Sequence, residues 1–242
     1  MQMDKVQRIL ADLQSTASTV DGRATLPEAL CATCATSLQV TGVGLALMSE
    51  RGPEGLVAAT DGLAKTMEDL QFDLGEGPCV DASAAMRPVL QPDLRKTASA
   101  RWPAFGPAVL EAGIEAIFAF PLQVGAIRLG VLDLYRDVPG PLSSETLRDA
   151  LSFSDAATRL LLYLQEQMND QGELHPDLLL THHNRPEVHQ ATGMIAVQAA
   201  VGLAEALLVL RARAYSDGRS IVDLARDVVS GNLRFEPDGE DS

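Results

Sequence analysis

The stretch His189 to Phe235 reads HQATGMIAVQAAVGLAEALLVLRARAYSDGRSIVDLARDVVSGNLRF, and its periodicity predicts three short helices in succession. Pro186 suits the first turn of the first helix, where a residue needs no amide donor. Val188, Ala191, Ile195 and Ala199 recur at helical spacing and form one apolar stripe. Gly202 ends that helix. A second helix, about 203–216, carries Ala206, Leu207, Leu210 and Ala214 on one face. Asp217-Gly218 makes the next turn. Ser220, with Asp223 three residues on, opens a third helix in the manner of a capping box. Ile221, Leu224, Ala225 and Val228 form its inner face, and Gly231 supplies a left-handed stop. Three such helices close one small core. None carries a nucleophile, a metal-ligating set or a phosphate loop, so the unit reads as a binding module rather than an enzyme.

The whole chain has 242 residues, enough for one large domain or two small ones. Hydrophobic residues make up 46% and charged residues 21%, which places it among ordinary globular proteins. No apolar run reaches the roughly 18 to 20 residues that span a bilayer. The start, MQMDKVQRIL, lacks the basic and apolar regions of a secretion signal, so a cytoplasmic location and no membrane partner are expected. The formal charge of −14 argues against non-specific nucleic-acid binding. That acidity is uneven: residues 182–235 hold six Arg against five acids, for +1, whereas residues 1–181 sum to −11. Any nucleic-acid contact must come from a few focused arginines, presented in two copies.

Upstream, residues 3–17 predict a helix with Val6, Ile9, Leu10 and Leu13 as its stripe, and 27–40 predict a second. Cys31 and Cys34 share a face of that second helix. No second CxxC or nearby His completes a metal site, and cysteine packs well in cores. Strands are expected at 43–48 and 56–60, separated by a turn-rich 50–55, and a short inner strand at 88–90. A helical piece at 64–70 leads into the glycine-rich loop Leu74-Gly-Glu-Gly-Pro-Cys79, which lacks the Lys-Ser/Thr ending of a phosphate cradle. A short helix lies within 100–112. Strands 117–124 and 127–135 are joined by Gly125-Ala126 as a tight hairpin. A long helix, 144–168, closes the region. Its Leu147, Leu151, Leu161, Leu164 and Met168 stand near heptad spacing, which fits pairing with the first helix and a homodimer, the alternative being that both helices only cover the sheet. The order of elements predicts an α+β fold, an antiparallel sheet flanked by helices.

Several residues in this region are candidates for a ligand pocket. Cys79 lies in a loop whose glycines let the backbone approach another group closely. Asp133 alternates with Leu129, Val131 and Tyr135 on one strand face, and a carboxylate among apolar neighbours must be paired or bonded. Trp102, Phe118, Phe120 and Tyr135 are the aromatic candidates for lining. No Ser/His/Asp set is readable, and His175, His182, His183 and His189 all fall in or beside a polar stretch at 169–185. No catalytic residue, cofactor or metal site is expected.

Two family resemblances follow from these residues. The runs Gly75-Glu-Gly-Pro-Cys79, Arg101-Trp-Pro103, Phe118-Ala-Phe-Pro-Leu122 and Gly130-Val-Leu-Asp-Leu-Tyr135 resemble a GAF domain, a sensory relative of PAS. The cyclic-nucleotide signature of some GAF domains is missing. The pattern QATGM, AEAL-x₂-LRARA and GRSIVDLARDVV resembles an ANTAR domain, the RNA-binding output module of bacterial antitermination regulators. Together they imply an N-terminal helix at 1–21, a GAF-like sensory domain at 22–168, a linker at 169–184, a three-helix ANTAR domain at 185–235 and an acidic tail at 236–242. The implied function is signal-responsive antitermination by a dimer that binds paired stem-loops in leader RNA. The implied RNA-binding residues are His189, Gln190, Thr192, Gly193, Arg211, Arg213 and Arg219, and the GAF-like domain would take a small-molecule or protein signal. The alternatives are a DNA-binding or protein-interaction regulator of the same layout. Asp223 and Asp227 on the third helix oppose a major-groove role.

Overall fold

The computed structural model describes residues 2–19, 25–49, 52–167 and 185–235. The residues outside these limits include His175, His182 and His183, the expected linker and the acidic tail. The described chain forms two compact units, one holding a sheet and seven helices, the other the three C-terminal helices.

The first unit runs α1 (Gln2–Thr19), α2 (Leu26–Leu38), β1 (Gly42–Ser49), β2 (Gly52–Ala59), α3 (Gly62–Leu74), α4 (Pro78–Ala85), β3 (Val89–Gln91), α5 (Leu94–Arg101), α6 (Phe105–Glu111), β4 (Ala116–Val124), β5 (Ile127–Arg136) and α7 (Ser144–Glu166). Local chemistry sets several boundaries. Thr25 and Glu28 form a reciprocal capping box at the entrance of α2, with backbone-to-side-chain bonds of 2.8 and 3.3 Å. Ser143 caps α7 by accepting from the Thr146 amide at 3.0 Å. Gly125, at φ +59°, turns the β4–β5 hairpin.

The strands make one antiparallel sheet in the order β2-β1-β5-β4-β3. Alternation along the strands divides the side chains between two faces. Val43, Leu45, Phe118, Phe120, Leu122, Leu132 and Leu134 pack with α1, α2 and α7 into the main core. Gly44, Ala119, Val131, Asp133 and Tyr135 occupy the other face, which α3 and α4 cover. The α1–α7 pairing is made within the chain, and Leu161 and Leu164 are buried there.

The expected elements differ from the observed ones in four places. Residues 52–55 belong to strand β2 and not to a turn. β2 is an edge strand, where a proline such as Pro53 removes no needed ladder bond, and its pairing with β1 is irregular at two points. β3 lies at the opposite edge instead of inside the sheet. Helices α4 and α5 have no apolar stripe to reveal them: α4 is PCVDASAA, and α5 buries only Leu94 and Ala98.

The second unit is α8 (Pro186–Gln198), α9 (Leu203–Ser216) and α10 (Ile221–Val229). Val188, Ala191 and Ile195 of α8, Ala206, Leu210 and Ala214 of α9, and Ile221, Leu224, Ala225 and Val228 of α10 are buried, and the three helices pack on one another. The Ser220 hydroxyl accepts from the Asp223 amide at 3.1 Å, which starts α10. Gly231 has φ +79°, as a left-handed stop requires. α8 ends differently. Ala200 takes φ +57° and the Val201 amide bonds the Ala196 carbonyl at 3.1 Å, a Schellman-type stop built on alanine.

Candidate functional site

On the α3–α4 side of the sheet, Asp133 projects from the central strand β5 and is fully buried. Its ladder neighbours are Gly44 on β1 and Ala119 on β4. These small residues leave room beside the carboxylate, and two side chains of α3 fill it. Gln71 donates its amide to Asp133 Oδ2 at 2.8 Å. Glu68 shares a side-chain hydrogen bond with Asp133. A Cβ at Gly44 would stand 2.2 Å from Glu68 Oε1, so the carboxylate occupies the space that only glycine leaves.

The glycine-rich loop brings the third group. The Cys79 amide donates to Gln71 Oε1 at 2.8 Å. Gln71 thus joins the β5 carboxylate to the first turn of α4. Gly77, at φ +127°, takes a conformation open to few other residues, and a Cβ there would lie 2.7 Å from Gln71 Oε1. Glu76 holds the loop from its other side, accepting from the amides of Ala104 and Phe105 at 3.0 and 3.2 Å. Donor atoms of Glu68, Cys79 and Asp133 all lie within 4.8 Å of one another.

Burial governs the protonation of this cluster. Desolvation pushes the Asp133 carboxyl up to about 7, against the opposing hydrogen bonds from Gln71 and Glu68. Glu68 is pushed well above the ordinary carboxylate range by burial and by its Asp133 neighbour. The Cys79 thiol is raised by burial and then by the same two carboxylates. At neutrality the thiol is protonated, so this cysteine is not an activated thiolate.

The other expected pocket residues are distributed differently. Tyr135 shares the face of Asp133, but its hydroxyl donates to Asp61 at 2.9 Å and its ring covers Gly42. Asp61 also accepts from the Ala64 amide at 2.7 Å, so Tyr135 fixes the start of α3. Trp102 meets the Phe105 ring edge-on at 6.0 Å and donates to Asp81 at 3.2 Å. Phe118 and Phe120 face the opposite side of the sheet, in the core with α7. That placement corrects their grouping with Asp133, because strand alternation puts residues 118 and 120 out of phase with it across the β4–β5 ladder. Cys31 and Cys34 are buried in the same core, where desolvation raises both thiols. Glu68 and Gln71 were absent from the sequence-derived candidates. Their signal was legible: with Ala64 and Met67 they lie on one buried helical stripe, polar side chains where apolar ones are expected.

In the C-terminal unit, His189 and Gln190 are exposed on α8. Thr192 is buried, and its hydroxyl donates to the Val188 carbonyl at 2.7 Å, so its polar atom serves its own helix. Gly193 is half-buried, and a Cβ built on it would meet nothing outside its own helix within 4 Å among the described residues. Arg213 pairs with Asp217 at 2.8 Å and Arg219 with Asp227 at 2.8 Å. Arg226 pairs with Asp223 at 3.1 Å and Glu187 at 3.6 Å, and Arg211 is half-buried. No single described helix is long and apolar enough to cross a membrane.

No protein-family model and no curated protein matches this chain. Solved structures do. The GAF domain of a phosphoenolpyruvate-protein phosphotransferase from Coxiella burnetii matches with a TM-score of 0.50 at 13% identity, over 67% of this chain and 96% of that one. The corresponding domain from Acinetobacter matches with a TM-score of 0.49 at 13% identity, over 70% and 98%. The five-stranded antiparallel sheet and its flanking helices therefore have the fold of GAF domains, and the Glu68–Gln71–Cys79–Asp133 cluster lies on one face of that sheet.

Proposed function

We propose that this chain is a cytoplasmic, signal-responsive regulator without catalytic activity. Its GAF-fold unit takes a small-molecule or protein signal. Its C-terminal helices, as an ANTAR-type module, bind paired stem-loops in leader RNA and so promote transcription antitermination. The observation that carries the RNA reading is Gly193. A glycine inside a helix costs about 1 kcal/mol relative to alanine. Among the described residues, nothing outside its own helix lies within 4 Å of its missing Cβ, so packing among them does not account for it. A glycine there, flanked by exposed His189 and Gln190, suits close approach by an unstacked base of an RNA loop, where protein modules read sequence. Arg213 and Arg219 are exposed and held by single carboxylates, which phosphates can replace.

Sparse charge of this kind needs two linked copies for useful affinity, which fits a homodimer and a two-hairpin target. Leu151 and Tyr163, exposed on α7, are the residues through which two copies would meet. A second reading, a protein-interaction module, draws support from Val197, Leu208 and Tyr215, which are 83%, 64% and 64% exposed on α8 and α9.

The test is a gel-shift titration of the full chain at moderate ionic strength, with twin-hairpin leader RNA, scrambled RNA and duplex DNA. Preferential binding of the twin hairpin, weakened by Arg213→Ala and Arg219→Ala, supports the proposal. Equal binding of all three, or preference for the duplex, overturns it.

A further inference from the structure

Glu68, Cys79 and Asp133 come from α3, α4 and β5, and each is buried. Glu68 Oε1 and Asp133 Oδ1 are also shut off from solvent, and beyond the bond that the two carboxyls share neither has a hydrogen-bond partner among the described residues. That bond needs a proton on one of the two carboxyls, and two adjacent carboxylates this deeply buried are held together only by a cation. Both belong to one cluster that also presents a thiol, and Gly44 keeps a Cβ out of the space where Glu68 Oε1 sits.

We propose that Glu68, Cys79 and Asp133 bind one divalent transition-metal ion of the zinc or ferrous class, with a fourth coordination position left open. The donors decide the class. A thiolate disfavours magnesium and calcium, which take oxygen ligands, and two carboxylates disfavour soft monovalent copper. The spacing is compatible: tetrahedral zinc with Zn–S near 2.3 Å and Zn–O of 2.0–2.2 Å separates its ligand atoms by about 3.4–3.7 Å. Donors within 4.8 Å of one another reach that separation through side-chain adjustments of about 1 Å.

Charge also balances. Binding one dication displaces the thiol proton, and any proton the two carboxyls share, to solvent, and three anionic ligands with one dication sum to −1. The ion thereby takes the place of the proton between the two carboxyls and leaves only one net charge in the core. Gln71 is the positioning residue, since its amide orients both Asp133 and the Cys79 backbone, as outer-shell partners do around metal ligands. The inference goes beyond the RNA reading and does not rest on it.

The test uses the full chain, stripped with a chelator and then titrated with Zn²⁺ or Co²⁺. One ion per chain by elemental analysis, a thiolate-to-cobalt charge-transfer band, and release of protons on binding are expected. Cys79→Ser abolishes the band. Asp133→Asn and Glu68→Gln weaken Zn²⁺ binding by about 100-fold or more. Those two variants keep the shape of the core and remove a buried acid, so their metal-free thermal unfolding shows whether they fold. Cys31→Ser leaves every readout unchanged. Failure of the unmutated chain to bind either ion overturns the proposal, as does binding that survives intact in folded Asp133→Asn or in Cys79→Ser.

Discussion

Gln71 donates its side-chain amide to Asp133 at 2.8 Å, across the contact between α3 and the central strand. The same amide group accepts from the Cys79 backbone at 2.8 Å. One side chain thus holds three elements of the GAF-fold unit together. Replacing it by leucine leaves a buried carboxylate oxygen and a buried amide without partners. Gln71→Leu should lose about 2–5 kcal/mol of stability, read from the urea midpoint at constant slope. A loss below about 0.5 kcal/mol would mean that these two bonds contribute little.

The Asp133 carboxyl, raised to about 7, makes stability depend on pH in an unusual direction. In the unfolded chain it ionises near pH 4. Between those values the folded state binds more protons than the unfolded one, so stability falls as pH rises and levels off above about pH 7. In metal-free protein, Asp133→Asn should remove this contribution, worth on the order of a few kcal/mol. The difference between the two chains, measured by denaturation at pH 4 to 8, should grow with pH in favour of the variant. A difference that is flat across that range would disprove the assignment.

Gly44→Ala should be severe for so small a change. Its Cβ would stand 2.2 Å from Glu68 Oε1 and 2.9 Å from two further Glu68 carbons, so the carboxylate must leave its place. Destabilisation of about 1–3 kcal/mol is expected, as for overpacked core sites. The companion Gly44→Ala/Glu68→Ala should recover part of it. Additive losses would show that Glu68 is not the obstacle.

Gly193→Ala should do the reverse. With open space around the new methyl group, the helix gains about 0.5–1 kcal/mol, visible as a higher thermal midpoint. On the proposed function the same variant binds twin-hairpin RNA more weakly. A less stable variant would place a packing partner against this glycine.

Ala200→Gly should also stabilise the C-terminal unit, by about 1 kcal/mol. Ala200 sits at φ +57°, where an L side chain is strained and glycine is not. An unchanged or lower midpoint in thermal unfolding of the full chain would count against strain at this position.

Much of this molecule was readable one residue at a time. The stripes of α8, α9 and α10 match the buried residues because short-range periodicity alone decides which side of a helix meets its neighbours. The β4–β5 hairpin was equally legible, since Gly125 turns two strongly apolar strands within two residues. Alternation along β5 marked Asp133 as a carboxylate out of place. Helices α4 and α5 stayed hidden because small or polar residues carry no stripe, and their helicity depends on neighbours distant in sequence.

What the linear chain determined, then, was each local period, each cap and turn, and the fact that one acid on a central strand needed a partner. What only tertiary structure decided was the partner. Glu68 and Gln71 lie more than sixty residues from Asp133, and Cys79 more than fifty. Their meeting depends on strand order, which places Gly44 beside Asp133, and on the packing of α3 and α4 over that face. Sheet alternation likewise sent Phe118 and Phe120 to the far side, a choice of register that only the paired strands make.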